Sequence, residues 1–191
     1  FRGGRQTKPM ISTHSQKTID AWFFLLFIPV AYFTYLFHEF GHWSVGEALG
    51  NSMLYSLNYV SPRDGFYIQE SHGLYVSIGG PAFTVFQSVM ALLVIEKCKT
   101  LYAYPFAFFP MFNRSFSLLL GGFGRQDGAR IAVLLGTGEY LVAIIVLGIL
   151  LAIVVRSSYI LGIGVKMNGY VVTVSTLCQL LVIATYEYLG V

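Results

Sequence analysis

The residues His38-Glu39-Phe40-Gly41-His42 carry the spacing H-E-x-x-H. On an α-helix, residues four apart share one face, about 40° apart around the axis and about 6 Å along it. Both imidazoles can therefore turn a nitrogen toward one ion. Glu39 sits beside His38, where its carboxylate reaches a water on that ion without ligating it. This is the arrangement of a zinc hydrolase, with His38 and His42 as metal ligands and Glu39 as proton acceptor. A catalytic zinc takes three protein ligands and keeps one position open. One more donor must come from elsewhere among the nine acids and four histidines of the chain.

The elements that must position these groups are apolar. The 191-residue chain is 55% hydrophobic and 11% charged, and its mean hydropathy is +0.66. A soluble domain carries about 25% charge. So much apolar surface exceeds what one core of this size can bury, which predicts a multi-pass integral membrane protein seated in the lipid bilayer. The net charge of +3 is small and dispersed. No basic patch is interleaved with aromatics, which argues against nucleic acid as a partner. Cys98 and Cys178 lie far apart with no C-x-x-C spacing and read as two ordinary thiols.

Residues 1–20 form a basic polar segment with Arg2, Arg5, Lys8 and Lys17, and residues 21–191 read as a single polytopic membrane domain. A basic head before an apolar run can be a signal peptide. Here no small-x-small site follows and the run leads into the metal motif, so a retained first span is expected. It covers Ala21–Phe37, with the helix continuing through the motif to a cap at Gly50. From Asn51 to His72 the pattern alternates, Met53, Tyr55, Leu57 and Tyr59 against Ser52, Leu54, Ser56 and Asn58. Ser61-Pro62-Arg63-Asp64-Gly65 then signals a turn before a second extended run, Phe66–Gln69, which predicts a β-hairpin. Further spans are expected at Gly73–Ile95, Leu101–Leu120, Tyr140–Val155 and Gly169–Tyr188. Pro105 and Pro110 interrupt the third of the five, and Asn113 and Arg114 sit within it. Loops are expected after Gly121 and over Ser157–Asn168. The expected fold is all-α, about five transmembrane helices with a small β-hairpin between the first two.

Lys and Arg set the expected orientation. With five spans, one side holds Arg2, Arg5, Lys8, Lys17, Lys97, Lys99, Arg156 and Lys166, and the other Arg63, Arg125 and Arg130. That bias predicts a cytoplasmic N-terminus. The end of the first span and the loop after the third then share a side. His14 falls on the wrong side for the metal. Asp127 lies in the returning loop and is the preferred third ligand, since a carboxylate at the edge of an apolar bundle is costly unless paired or metal-bound. Glu47, nine residues past His38, and His72, at the foot of the hairpin, stand behind it.

The motif at His38–His42, Gly79-Gly80-Pro81 and Asp127-Gly128-Ala129-Arg130 occur in that order. In this the chain resembles the site-2 protease family of intramembrane zinc metalloproteases. In that family one helix carries H-E-x-x-H and a later helix supplies an aspartate in a D-G-x-R or D-G-x-H context. The resemblance covers about Ala21–Val155. It implies Zn2+ on His38, His42 and Asp127, and Glu39 as the catalytic base. It also implies cleavage of membrane-embedded or membrane-proximal peptide bonds in a membrane protein or peptide substrate. The family's Asn and prolines shortly before the aspartate have no counterpart at that spacing, because Asn113 lies fourteen residues before Asp127 with glycine-rich sequence between.

Two functions from different classes follow. One is a metalloendopeptidase acting inside the membrane. The other is a non-catalytic membrane subunit, or a metal-binding membrane protein, that retains a structural zinc site. Glu39 favours the first, since a structural site needs no general base. A zinc-dependent membrane hydrolase of a lipid or prenylated peptide is a further enzymatic alternative.

Overall fold

Asp20 opens the first helix, its Oδ1 accepting from the Phe23 N–H at 3.0 Å and so satisfying one free donor of the first turn. The computed structural model describes residues 20–122, 124, 126–138 and 140–190; the basic segment with His14, and Arg125, lie outside the described residues. Ala21–Leu25 (α1) and Phe27–Ala48 (α2) run on as one apolar stretch of 28 residues. Gly50, at φ +84°, lets the chain leave α2 through the left-handed region. Two short antiparallel strands follow, Met53–Tyr55 (β1) and Val60–Pro62 (β2), with Met53 opposite Pro62 and Tyr55 opposite Val60. His72–Cys98 (α3) returns along α2. A 3-10 turn, Leu101–Ala103, leads into Tyr104–Gly121 (α4), and Asp127–Leu134 (α5), Leu141–Leu161 (α6) and Val165–Leu189 (α7) complete the chain.

Among the described residues, four stretches are long and apolar enough to cross a membrane: Ala21–Ala48, His72–Cys98, Leu141–Leu161 and Val165–Leu189. No more than 44% of any of their most apolar windows is buried within the protein. The outward remainder is also apolar, with Ile144, Leu151 and Val155 exposed on α6 and Leu177, Leu180 and Leu181 on α7. Small polar residues lie between the helices instead, with Thr34, Ser77, Ser88, Ser157 and Ser175 buried. This is how helices pack when lipid is the solvent.

The third expected span differs from the other four. α4 is not among the membrane-length apolar helices, since Pro105, Pro110, Asn113 and Arg114 interrupt its apolar run. It is instead an enclosed helix, with Tyr104, Ala107, Phe108, Phe109 and Phe112 buried in the core beside Phe23, Phe27 and Val171. Pro110 has no N–H to give the Phe106 carbonyl four residues back. Gln87 of α3 replaces it, its Nε2 donating to Phe106 O at 3.2 Å and to Thr34 Oγ1 at 2.9 Å. One amide thus ties α2, α3 and α4 together.

Three boundaries differ from the sequence expectation. The hairpin tip is Ser56–Tyr59, where Ser56 N–H donates to Tyr59 O at 3.0 Å. The Ser61–Gly65 signal ends the hairpin, with Ser61 and Pro62 inside β2 and Gly65 turning at φ +81°, and Phe66–Gln69 is not a strand. Arg156 does not end its span. α6 continues to Leu161, with Arg156 Nε 3.2 Å from Glu96 Oε1, and the expected loop shrinks to Gly162–Gly164. The stretch expected as a loop around Asp127 is largely the helix α5.

Side-chain bonds define the two ends of the bundle. At one end Asp20 accepts from Tyr102 OH, Arg156 meets Glu96, and Tyr104 meets Ser158 and Asn168. The hairpin lies at the other, folded back on α2: Met53 N–H donates to Glu47 Oε1 at 2.9 Å and Tyr55 OH to Leu36 O at 2.8 Å.

Candidate metal centre

His38 and His42 lie one turn apart on α2, and α5 brings Asp127 to them. His38 Nε2 is 3.1 Å from Asp127 Oδ2, His42 Nε2 is 3.5 Å from the same oxygen, and the two Nε2 atoms are 3.2 Å apart. Three donors about 2.1 Å from a tetrahedral zinc stand about 3.4 Å from one another. The triangle has the dimensions of one face of a zinc coordination shell. The donor set, two imidazoles and one carboxylate, is a catalytic-type set.

The partners of the other ring nitrogens turn this face inward. His42 Nδ1 is 2.6 Å from the Val76 carbonyl, which can only accept. His38 Nδ1 is 2.8 Å from Thr84 Oγ1, and that hydroxyl donates its own proton to Gly80 O at 2.9 Å. With the ring proton on Nδ1, each neutral imidazole turns its Nε2 lone pair toward Asp127 Oδ2; Gly80 N–H also lies 3.3 Å from His42 Nδ1. Three acceptors at such separations repel one another unless a cation lies between them. Orienting hydrogen bonds of this kind are the usual outer shell of metal-bound imidazoles.

The Gly79-Gly80-Pro81 run has two separate tasks. A Cβ on Gly79 meets the Gly41 carbonyl, and a Cβ on Gly41 meets Gly79, so α2 and α3 cross backbone to backbone. A Cβ on Gly80 runs into His42 Nε2 and His38 Nε2, the two nitrogens that face Asp127. Gly128 does similar work behind Asp127, because a Cβ there presses on Ala143 of α6 at 3.1 Å.

Glu39 is buried, and its carboxylate lies within 4.8 Å of the ligand atoms of His38 and His42. Asp127 Oδ2 comes nearer to both rings, so these three groups could share one ion with Glu39 beside it. The other candidates are engaged elsewhere. Glu47 Oε1 accepts from Met53 N–H, and His72 Nδ1 pairs with Asn51 at 3.1 Å, at the foot of the hairpin.

The centre opens into a cavity of about 560 Å³. Its walls are Tyr35, His38, Glu39 and His42 from α2, Asn58, Tyr59 and Val60 from the hairpin, Asn113 and Arg114 from α4, Asp127 and Arg130 from α5, and Gln179 from α7. Burial pushes the Tyr67 phenol above its ordinary value, so it lines the mouth as a neutral donor. Asn113 does not reach the metal position; its Oδ1 accepts from Gln179 Nε2 at 3.1 Å, and that same nitrogen donates to Tyr35 OH. Sequence reasoning missed Thr84, Val76 and Gln179. Thr84 and Val76 each lie four residues from Gly80, but only the helix crossing shows that this face of α3 meets the imidazoles.

Compared with protein-family profiles, with curated proteins and with solved structures, the chain matches none.

Proposed function

We propose that this protein is a zinc-dependent intramembrane endopeptidase of the site-2 protease type. The observation that carries the reading is the triangle of His38 Nε2, His42 Nε2 and Asp127 Oδ2, with Glu39 beside it and a polar cavity in front. His38, His42 and Asp127 would hold Zn2+, which would supply a water of lowered pKa and polarise a peptide carbonyl. Glu39 does the proton work: its carboxylate accepts a proton as the peptide is attacked and returns it to the leaving nitrogen. Glu39 is buried and lines the cavity, where its carboxylate can reach water that enters there.

The membrane reading supports the same function. His38 and His42 lie ten and six residues from the end of α2, about 15 and 9 Å inside it. α2 and α3 then cross the bilayer beside α6 and α7, and α4 is a fifth, enclosed crossing. Water enters through the polar cavity, which the hairpin and α4 keep away from lipid. Irregular backbone at membrane depth is tolerated where it lines such a cavity. A helical substrate has to unwind before its amides are reached, and β2, unpaired on its far side among the described residues, offers an edge to hold it as an added strand. Val60 of β2 lines the cavity.

The test is metal analysis of the purified protein together with a cleavage assay on a panel of single-span peptides reconstituted with it. The expected result is one zinc per chain, lost in His38→Ala and Asp127→Ala, and zinc-dependent cleavage. Zinc without cleavage of any peptide in the panel would favour the structural-site alternative. Zinc retained in full by Asp127→Ala rejects the ligand set.

A further inference from the structure

Asp127 is the one donor that does not belong to α2, and it follows a glycine-rich connection, Gly121-Gly122-Phe123-Gly124. Its position relative to the imidazoles must be fixed by something other than its own short helix. Gln126 occupies the N-cap position of α5 with extended backbone, φ −93° and ψ 155°, yet its side chain does not cap. It turns back to α4. Gln126 Nε2 donates to Ser117 O at 3.3 Å, and Gln126 Oε1 accepts from Arg114 Nη1 at 3.2 Å. Arg114 and Ser117 are three residues apart and so share a face of α4. Among the described residues, every hydrogen bond between α4 and α5 runs through this one amide.

Arg114 is 8% exposed, and the bond to Gln126 is its one hydrogen bond among the described residues. A buried guanidinium is costly unless its donors are used. Its charge also lies near enough to Asp127 and His38 to act on both. Two bonds in one plane fix an amide, and consecutive Cα atoms are about 3.8 Å apart. The backbone that carries Asp127 therefore cannot move away from the imidazoles without straining both bonds.

We infer that Gln126, gripped by Arg114 and Ser117, is the positioning residue that sets Asp127 as the third metal ligand. This rests on the zinc reading of the site, and the experiment separates the two. The full chain, purified in detergent and stripped of metal, is titrated with Zn2+ against a chromogenic chelator and with Co2+ by its visible absorption. Gln126→Met removes both bonds at nearly constant volume and should weaken zinc binding about 10–100-fold, the usual effect of an outer-shell partner. The cobalt bands should change with it, because Asp127 no longer holds its place. Gln126→Glu keeps the acceptor for Arg114 and should recover most of the affinity. Arg114→Met should lose affinity as Gln126→Met does, and the double variant no more than either, since both remove one bracket.

Should Gln126→Met not fold, Gln126→Asn carries the same comparison, being too short to reach Arg114 and Ser117 together. Zinc affinity and cobalt bands equal to the parent in the Gln126 and Arg114 variants overturn the positioning role and leave the metal site standing. A parent that binds neither ion overturns the zinc reading, and the positioning role with it.

Discussion

In the proposed mechanism Glu39 and the two histidines do different work, and single substitutions separate them. Glu39→Gln keeps the size of the side chain and leaves His38, His42 and Asp127 in place. Zinc should stay bound at one per chain, while peptide cleavage falls by about 10²–10⁴-fold, the usual contribution of a general base. His38→Ala should lose metal and activity together. Side-by-side zinc analysis and rate measurement on the same preparations decide it; a Glu39→Gln enzyme as fast as the parent would remove Glu39 from the mechanism. Thr84 gives a second residue-scale expectation. Thr84→Val is nearly isosteric but offers no acceptor to His38 Nδ1, which now donates at 2.8 Å. Zinc affinity should fall about 10–100-fold, whereas Ser88→Ala, one turn further along α3, should leave it unchanged.

At the scale of elements, the site depends on how closely α2 and α3 approach. Gly80→Ala puts a methyl group against both Nε2 atoms and should abolish zinc binding while the helices remain formed. Gly79→Val, one residue away, acts on the crossing instead. Its side chain meets the Gly41 backbone, which cannot yield, so it should destabilise the fold by about 1–3 kcal/mol or more, as overpacked sites do. Far-ultraviolet circular dichroism during thermal unfolding, with zinc content measured in parallel, distinguishes the two. Loss of helix stability in Gly80→Ala equal to that in Gly79→Val would deny the separate tasks. Gln87 is the comparable test for α4. Gln87→Leu leaves the Phe106 carbonyl without the donor that Pro110 denies it, and should cost about 1–3 kcal/mol in the same melt.

For the whole molecule, the placement of the two ends makes a topological prediction. Lys97, Lys99, Arg156 and Lys166 lie toward the end marked by Asp20 and the Arg156–Glu96 pair, and the hairpin lies at the other. The positive-inside tendency predicts that the first end faces the cytoplasm. Cys98 is exposed at that end, while Cys178 is buried. A membrane-impermeant thiol reagent should therefore reach Cys98 only from the cytoplasmic face. Asp64→Cys in a Cys98→Ser background should react only from the opposite face. Labelling of both positions from one face would reverse the reading of α3 as a crossing helix.

The apolar runs, the metal motif and the existence of a hairpin were legible in the residues themselves, because hydropathy and i, i+4 spacing are local properties. H-E-x-x-H places two imidazoles on one helical face wherever that helix lies, and the apolar stretches around Ala21–Phe37 and Gly73–Ile95 can be buried or lipid-facing but not wet. Local signals also misplace boundaries. Ser61-Pro62 is a turn dipeptide that pairing with Leu54 and Met53 drew into β2, and Arg156 is a charge that lies within α6, paired with Glu96, rather than at its end. The enclosure of α4 was not legible, because its prolines and Arg114 are expensive in lipid and acceptable only where Gln87 and Gln126 meet them. The assembly of the metal face belongs to tertiary structure alone. His38 and Asp127 are 89 residues apart in the chain, and three helices and a glycine crossing are needed to bring Asp127 Oδ2 within reach of both rings. No periodicity records that distance, since it is set by the packing of Gly41 on Gly79, Gly128 on Ala143 and Gln126 on α4.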